Sequence, residues 1–387
     1  MNRIKIKDIC EILNGYAFKS ENYVDSGIRV IRIANVQKGY VEDSTPAFYP
    51  LDSSGLERYI LEEGDLLMSL TGNVGRVAIL EKDMLPAALN QRVACLRMKS
   101  NAISKRYLFH ILNSNSFEQQ CIQSSKGVAQ KNMSTEWLKD YDIPLFSAEK
   151  QAEIVSILDG VRSIISNRKQ QIQKLDDLIK ARFVEMFGDP VNNEKGWTTK
   201  PLLSMGSCKN GMNFHYDDSG VEINCLGVGD FKDYSIIADT AALPTVSLNE
   251  MPSPEYLLRD DDIVFVRSNG YKKMVGRSVA VYPGAVPTTF SGFCIRYRRE
   301  DDSVITPYLL RVLKTKSMRQ KMYGRGANIQ NLNQQTLSSL DIPVPPRAMQ
   351  EQFATFVTQV DKSKAVAQKA LDEAQLLFDS LMQKYFG

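Results

Sequence analysis

Side chains able to make or break bonds are scarce in this chain. There are two histidines, His110 and His215, and six cysteines at positions 10, 95, 121, 208, 225 and 294, none in a Cys-x-x-Cys pair. Ligands at metal-binding spacing are therefore missing, and thiols scattered in this way read as reduced core residues of a cytoplasmic protein. His110 lies in Tyr107-Leu108-Phe109-His110-Ile111-Leu112, a helical pattern in which a satisfied structural histidine is expected. His215 stands beside Asn213, Asp217 and Asp218, with no cysteine or second histidine to complete a metal site. Gly270–Ser278 resembles a phosphate-binding loop only superficially, because five residues separate its glycines and Arg277 stands where lysine is required. Gly227-Val228-Gly229 lacks the third glycine of a dinucleotide fingerprint. Pro345-Pro346 lacks the preceding Asn or Asp with which amino-methyltransferases hold a flipped base, and Asp260-Asp261-Asp262 reads as a turn before a strand. No constellation supports catalysis, and neither a metal nor a cofactor is expected on this chain.

Recognition chemistry is better supplied. One segment carries Thr71, Asn73 and Arg76, followed by Asn90, Gln91 and Arg92; another carries Arg267, Ser268, Asn269, Tyr271, Lys272, Lys273 and Arg277. Arg and Lys can grip guanine, and Asn and Gln can grip adenine, bidentately in the major groove. The formal net charge is only +3, but its distribution is uneven. Residues 259–325 hold fourteen Lys/Arg against six Asp/Glu and residues 64–140 hold ten against six, whereas residues 189–258 are acidic by six. Basic charge concentrated in two places suggests duplex DNA, whose phosphates supply sequence-independent affinity.

These two segments belong to two copies of one unit. Tyr141-Asp142-Ile143-Pro144-Leu145 matches Leu340-Asp341-Ile342-Pro343-Val344 at an offset of 199 residues. The same offset carries Cys95 and Arg97 onto Cys294 and Arg296, Gly127 onto Gly326, Asn132 onto Asn331, Gln151 onto Gln350, and Phe187-Gly188 onto Phe386-Gly387. Upstream it drifts: Asn14-Gly15 matches Asn210-Gly211 at 196, and Gly75-Arg76 matches Gly276-Arg277 at 201. A tandem duplication of a unit of roughly 190 residues follows.

Each unit begins with a strand-rich globule of α/β or α+β class and ends in a long helix. The predicted domains are 1–148, 149–188, 189–346 and 347–387. From 149 to 187, and again from 349 to 386, there is no proline and one glycine, Gly160. Apolar residues recur at 4-3 spacing: Ile154, Leu158, Val161, Ile165, Ile172, Leu175 and Ile179, then Phe353, Val357, Val360, Leu371 and Phe378. A 3.5-residue period predicts coiled-coil helices, each a rod of roughly 58 Å. Arg168, Arg182 and Lys364 interrupt the stripe at non-equivalent positions, where each is expected to face an apolar residue on the other helix. Antiparallel packing of the two copies, with a pseudo-twofold axis, is the easier construction. No run approaches the ~18 apolar residues of a membrane span, and 1–17 lacks the apolar core of a signal peptide.

The chain resembles the specificity subunit of type I restriction–modification enzymes along essentially its whole length. The resemblance rests on NGYAF (Asn14–Phe18), IRIANV (Ile31–Val36), GDLLMSLTGNVGR (Gly64–Arg76) and the two junctions into the long helices, Asp142–Asp159 and Asp341–Phe353. At those junctions Gln151 and Gln350 match the family's Glu-Gln, while Lys150 and Met349 replace its glutamate; Phe146-Ser147 replaces the second proline pair in the first copy. Arg32 and Asn35, within IRIANV, join the candidate DNA-facing residues. The family implies two target recognition domains that each read half of a bipartite sequence, with an antiparallel coiled coil as the ruler for the gap. It also implies two methyltransferase subunits docked on this scaffold, holding S-adenosylmethionine and flipping the target adenines, to which two motor-endonuclease subunits can be added. The chain itself would be non-catalytic. The competing reading is a coiled-coil scaffold presenting two protein- or RNA-binding domains, and it predicts no preference between duplexes of equal length.

Overall fold

Two 40-residue helices, Ala148–Phe187 and Arg347–Phe386, dominate the helical content of the computed structural model, which describes residues 2–125, 132–214, 219–231, 236–323 and 331–387. The chain divides into unit 1, Met1–Gln170 with Ala367–Gly387, and unit 2, Gln171–Val366. His215, Asp217, Asp218, Gly127 and Gly326 lie outside the described residues.

In unit 1 an antiparallel sheet has the order Cys10–Asn14, Val93–Met98, Leu66–Ser69, Val77–Ile79. A second sheet places Ile28–Ile31 between Phe48–Tyr49 and Ala87–Leu89, parallel to the latter. Unit 2 repeats the plan. Its main sheet runs Gly206–Asn210, Cys294–Arg299, Asp262–Val266, Ser278–Val281, Ile236–Ile237, and its small sheet centres on Val221–Leu226. The apolar runs are buried on both faces because successive side chains point to opposite sides of a strand. Leu66 and Met68 pack with the helices of the globule, while Leu67 packs with Val36, Ala78 and Leu89 beneath the second sheet. Ile263 and Phe265 against Val264 and Val266 divide in the same way.

Strand register corrects the repeat alignment. Leu96 pairs with Leu66 and Ile12, and Tyr297 pairs with Ile263 and Cys208, so Leu96 corresponds to Tyr297 at an offset of 201. Cys95 and Arg97 therefore correspond to Arg296 and Arg298, two residues beyond Cys294 and Arg296. A slip of two residues preserves the face of a strand, so a false match survives in sequence. The ion pairs decide the register. Arg97 donates to Asp65 at 2.6 and 3.1 Å, and it is Arg298 that donates to Asp262, at 2.7 and 2.8 Å. The offset of 201 persists to Gly75 against Cys121 and Gly276 against Met322, and it returns to 199 by Asn132 and Asn331.

In each unit parts of both long helices lie side by side in opposite directions. In unit 1 Ile154 and Leu158 share a core with Met382 and Tyr385, while Val161 and Ile165 pack with Leu371 and Ala374. In unit 2 the Phe353 ring lies 5.5 Å from Phe183 and 5.6 Å from Phe187, Arg182 stands over Phe356, and Lys364 meets Asp176 at 2.5 Å. Rising numbers on one helix thus meet falling numbers on the other. The expectation for Arg182 agrees with its place over Phe356, but Lys364 faces a carboxylate instead of an apolar group. Among the predicted seam residues Ile154, Leu158, Val161, Ile165, Ile179, Phe353 and Val360 are buried, while Leu175, Val357, Leu371 and Phe378 are half-buried against the same cores. Ile172 is half-buried and joins none of them. Phe183, Ala367 and Met382, not foreseen, are also buried. The first long helix stops at Gly188, whose φ of +73° suits glycine after a helix end; its N–H bonds the Val184 carbonyl.

Where a globule meets its long helix, His110 is fully buried, its Nε2 2.9 Å from Asp159 Oδ1, and Arg106 donates to the same carboxylate at 3.0 Å. The carboxylate accepts, so Nε2 carries the proton and the ring is neutral. Burial, against the pull of Asp159, lowers the His110 pKa to about 4. Between the ordinary value near 6.5 and about 4 the unfolded chain takes up a proton that the folded one refuses. Stability of unit 1 should therefore fall as pH drops through that window, by about 3 kcal/mol at most. His110→Asn should flatten this part of the pH dependence, read as urea midpoints between pH 7 and 4. Unit 2 has Arg311 at the corresponding place, charged throughout, so the slope should belong to unit 1.

Candidate nucleic-acid interface

The candidate base-reading residues of unit 1 gather at one edge of the main sheet because three chain segments cross there. Leu70 N–H bonds the Arg92 carbonyl at 3.0 Å, Met133 N–H bonds the Leu70 carbonyl at 2.8 Å, and Gln91 N–H bonds the Tyr16 carbonyl at 2.9 Å. Thr71 and Asn132 form a single antiparallel bridge. This frame brings Thr71, Asn73, Gln91 and Arg92 together, with Asn73, Gln91, Arg92, Asn132 and Tyr16 exposed. Gly72 turns at φ +68°, and a side chain built there would meet only Ile33, so the 71–73 loop rests on the run that follows strand Ile28–Ile31.

Three other candidates of unit 1 are committed elsewhere. Asn35 is buried; its Oδ1 accepts from Arg32 N at 2.9 Å and its Nδ2 donates to the Glu42 carbonyl at 2.7 Å. It holds a turn, the usual task of an Asn whose amide spans its own backbone, which removes it from the set of base readers. Arg32 donates to the Thr45 carbonyl, and Arg76 donates to Gln37 Oε1 from a half-buried position.

Unit 2 builds the same edge from the same bonds. Arg267 N–H bonds the Phe293 carbonyl at 2.8 Å, Leu332 N–H bonds the Arg267 carbonyl at 2.7 Å, and Ser268 bridges Asn331. Asn269 Oδ1 accepts from Tyr271 N–H at 2.7 Å, which orders the loop that exposes Tyr271 and Lys273. The Lys272 side chain lies outside the described set. Arg277 is half-buried and its charge acts on Lys314 and Arg319, on the helix side of the hairpin. Matching of backbone bonds equates Arg92 with Phe293 and Gln91 with Gly292. Phe293, exposed to 60%, was not singled out from sequence.

The basic surplus of residues 259–325 is partly structural. Arg296 is 5% exposed and Arg298 is paired with Asp262. Arg319 donates to the carbonyls of Lys273 and Val275, both at 3.0 Å. Burial first, then Arg311, Lys364, Arg319 and Arg277, lower the Lys314 pKa to about 7. A charge tally from sequence cannot separate such groups from solvated ones. Burial pushes the thiols of Cys10, Cys121, Cys208 and Cys225 up to about 12, so they stay protonated and unreactive near neutrality. Among the described residues no three His, Cys, Asp or Glu side chains converge as a metal site, and no helix is long and apolar enough to cross a membrane.

Comparison with known proteins fits this geometry. Residues 1–176 and 245–375 match the family model described as the type I restriction modification DNA specificity domain. The chain is 22% identical to the StySPI specificity subunit of Salmonella potsdam, over 98% of its own length and 86% of that protein's. It is 31% identical to the MjaVIII specificity subunit of Methanocaldococcus jannaschii over 44% of this chain and 42% of that one. The EcoAI specificity subunit of Escherichia coli is 34% identical over 45% of this chain and 32% of its own. The last two matches are about one repeat long. In fold, the S subunit of a type I restriction–modification system from M. genitalium superposes with a TM-score of 0.57 at 15% identity, covering all of this chain and 96% of that one. The family model runs through both repeats and covers well over half of the residues, so this protein belongs to the type I restriction–modification specificity subunits, which recognise DNA sequence.

Proposed function

We propose that each unit reads one half of a bipartite, gapped duplex sequence through the edge that carries residues 71–73 and 90–92 in unit 1, and 267–271 and 291–293 in unit 2. The observation behind this is the repetition of one backbone-bonded frame, each copy presenting exposed Arg, Asn, Gln or aromatic side chains. The paired long helices serve as the spacer that sets the gap and as the platform for two methyltransferase subunits. Those partners hold S-adenosylmethionine and take the target adenine out of the stack into their own pocket, and two motor-endonuclease subunits complete a restricting assembly. This chain supplies sequence choice and no catalytic group, and it works in the cytoplasm.

Adenine methylation mapped genome-wide, in cells holding the methyltransferase partner with and without this chain, tests the reading. A gapped two-part motif should be methylated only when the chain is present. Arg92→Ala should relax one half of that motif by about 5- to 150-fold at a base pair, the range for loss of a good base contact, and leave the other half unchanged. Equal methylation with and without the chain would move the weight to the scaffold reading.

A further inference from the structure

Phe293 occupies the place in unit 2 where unit 1 has Arg92, and it is 60% exposed on the turn bonded to Arg267 and Ser268. The turn that carries it is held on several sides. Its carbonyl accepts from Arg267 N–H at 2.8 Å and from Ser268 N–H at 3.3 Å. Gly292 N–H bonds the Met212 carbonyl at 2.6 Å, and Arg267 Nη1 donates to the Gly292 carbonyl at 3.2 Å. A Cβ on Gly292 would lie 2.1 Å from Asn213 Oδ1, so glycine there lets the turn close against Asn213. A large apolar side chain, exposed on a well-anchored turn beside Arg267 and Ser268, joins no apolar core of its own unit. The Arg267 guanidinium beside it and the exposed Lys273 on the adjoining loop favour a polyanionic partner, and in a DNA specificity subunit that partner is the duplex. The apolar feature that a duplex offers in its major groove is the thymine methyl group.

We propose that Phe293 is a specificity-determining residue that reads a thymine by apolar contact with its 5-methyl group, where unit 1 reads by hydrogen bonds from Gln91 and Arg92. This rests on the reading that the unit edges face DNA. The geometry makes the two half-sites different in kind: one depends on donors and acceptors, and the other on a methyl group.

The test uses the full chain assembled with its methyltransferase partner, on duplexes in which each thymine of the site is replaced in turn by deoxyuridine. That exchange removes one methyl group and keeps the base pairing. At one thymine in the half-site left unaffected by Arg92→Ala, the exchange should lower kcat/KM for methylation about fourfold, the worth of one buried methyl-sized group. Phe293→Ala should lower kcat/KM about tenfold on the thymine duplex and make the complex indifferent to the exchange. Phe293→Leu should keep part of the discrimination. An exposed side chain is not needed for folding, so these variants should unfold at the wild-type temperature. The assignment is overturned if no thymine of that half-site responds, or if the response survives in Phe293→Ala while the wild-type complex methylates its gapped site normally. A wild-type complex that methylates no gapped site overturns the reading of the edges and this assignment with it.

Discussion

Gln350→Ala is expected to destabilise unit 2 by about 3–4 kcal/mol, a large part of the ~5–15 kcal/mol by which a domain is stable. Gln350 is fully buried at the start of the second long helix and makes three bonds at 2.9 Å. Its Oε1 accepts from Ile305 N–H, and its Nε2 donates to the carbonyls of Ser303 and Pro345. Truncation leaves three backbone groups unpaired, two of them buried, at about 1–3 kcal/mol for each buried one, less whatever an entering water recovers. Gln350→Glu keeps the acceptor and loses both donors, so it should rescue little. Gln151 plays the same part in unit 1, to Ser104 N–H at 2.8 Å and to the carbonyls of Phe146 and Ala102 at 3.0 and 3.2 Å. All three of its bonds are partly exposed and the two to carbonyls are longer, which should make Gln151→Ala milder, about 2 kcal/mol. Denaturant unfolding of the single variants measures both, and a loss below about 1 kcal/mol for Gln350→Ala would show that this glutamine does not tie the globule to its helix.

That pair also shows where sequence reading succeeds and where it stops. Gln151 and Gln350 stood out as matches in the repeat and in the family junction, yet nothing in the spacing says which carbonyls they bind. The long helices are legible because the 3.5-residue stripe and the lack of proline are local signals. Their seam is less so. At Phe183 and Phe353 the buried face is shared with the core of the globule, through Phe183 against Tyr308 and Phe353 in one cluster with Leu337 and Ile342, so helix pairing and globule packing cannot be told apart by period alone.

The edges assigned to DNA in the proposal are half legible in the sequence. Residue type alone points to Thr71, Asn73, Gln91 and Arg92 in unit 1 and to Arg267 and Asn269 in unit 2, and within each unit a crossing of three segments gathers its own set. Asn35 has the right chemistry but spends it on its own turn, which only the bonds to Arg32 and Glu42 reveal. Phe293 was missed through register. At an offset of 199 it falls opposite Ala94, a buried strand residue, whereas at the true offset of 201 it falls opposite Arg92. A two-residue slip leaves the inside–outside pattern of a strand intact and misplaces every residue of the adjoining turn.

The spacer proposal leads to the largest functional change. Seven residues inserted in each long helix, between Gln170 and Gln171 and between Val366 and Ala367, add about 10 Å of helix and keep the apolar stripe close to phase. The wild-type gapped site should then lose methylation, and a site with the same two half-sequences and a longer gap should gain it. With rise near 3.4 Å per base pair the increase is about three base pairs if the helices run parallel to the DNA axis, and fewer if they are tilted. An insertion of seven in only one helix is the control. It puts the helices seven residues out of register across the insertion, so that the pairing of Val161 with Ala374 and that of Lys364 with Asp176 cannot both be kept, and should abolish methylation at every gap length. Methylation mapped in cells that carry each variant with the methyltransferase partner reads both results. An unchanged gap in the double insertion would sink the spacer role while leaving sequence recognition by the units untouched. A longer gap with both half-sequences retained would show that the distance is set by the helices and the bases by the edges, as independent parts.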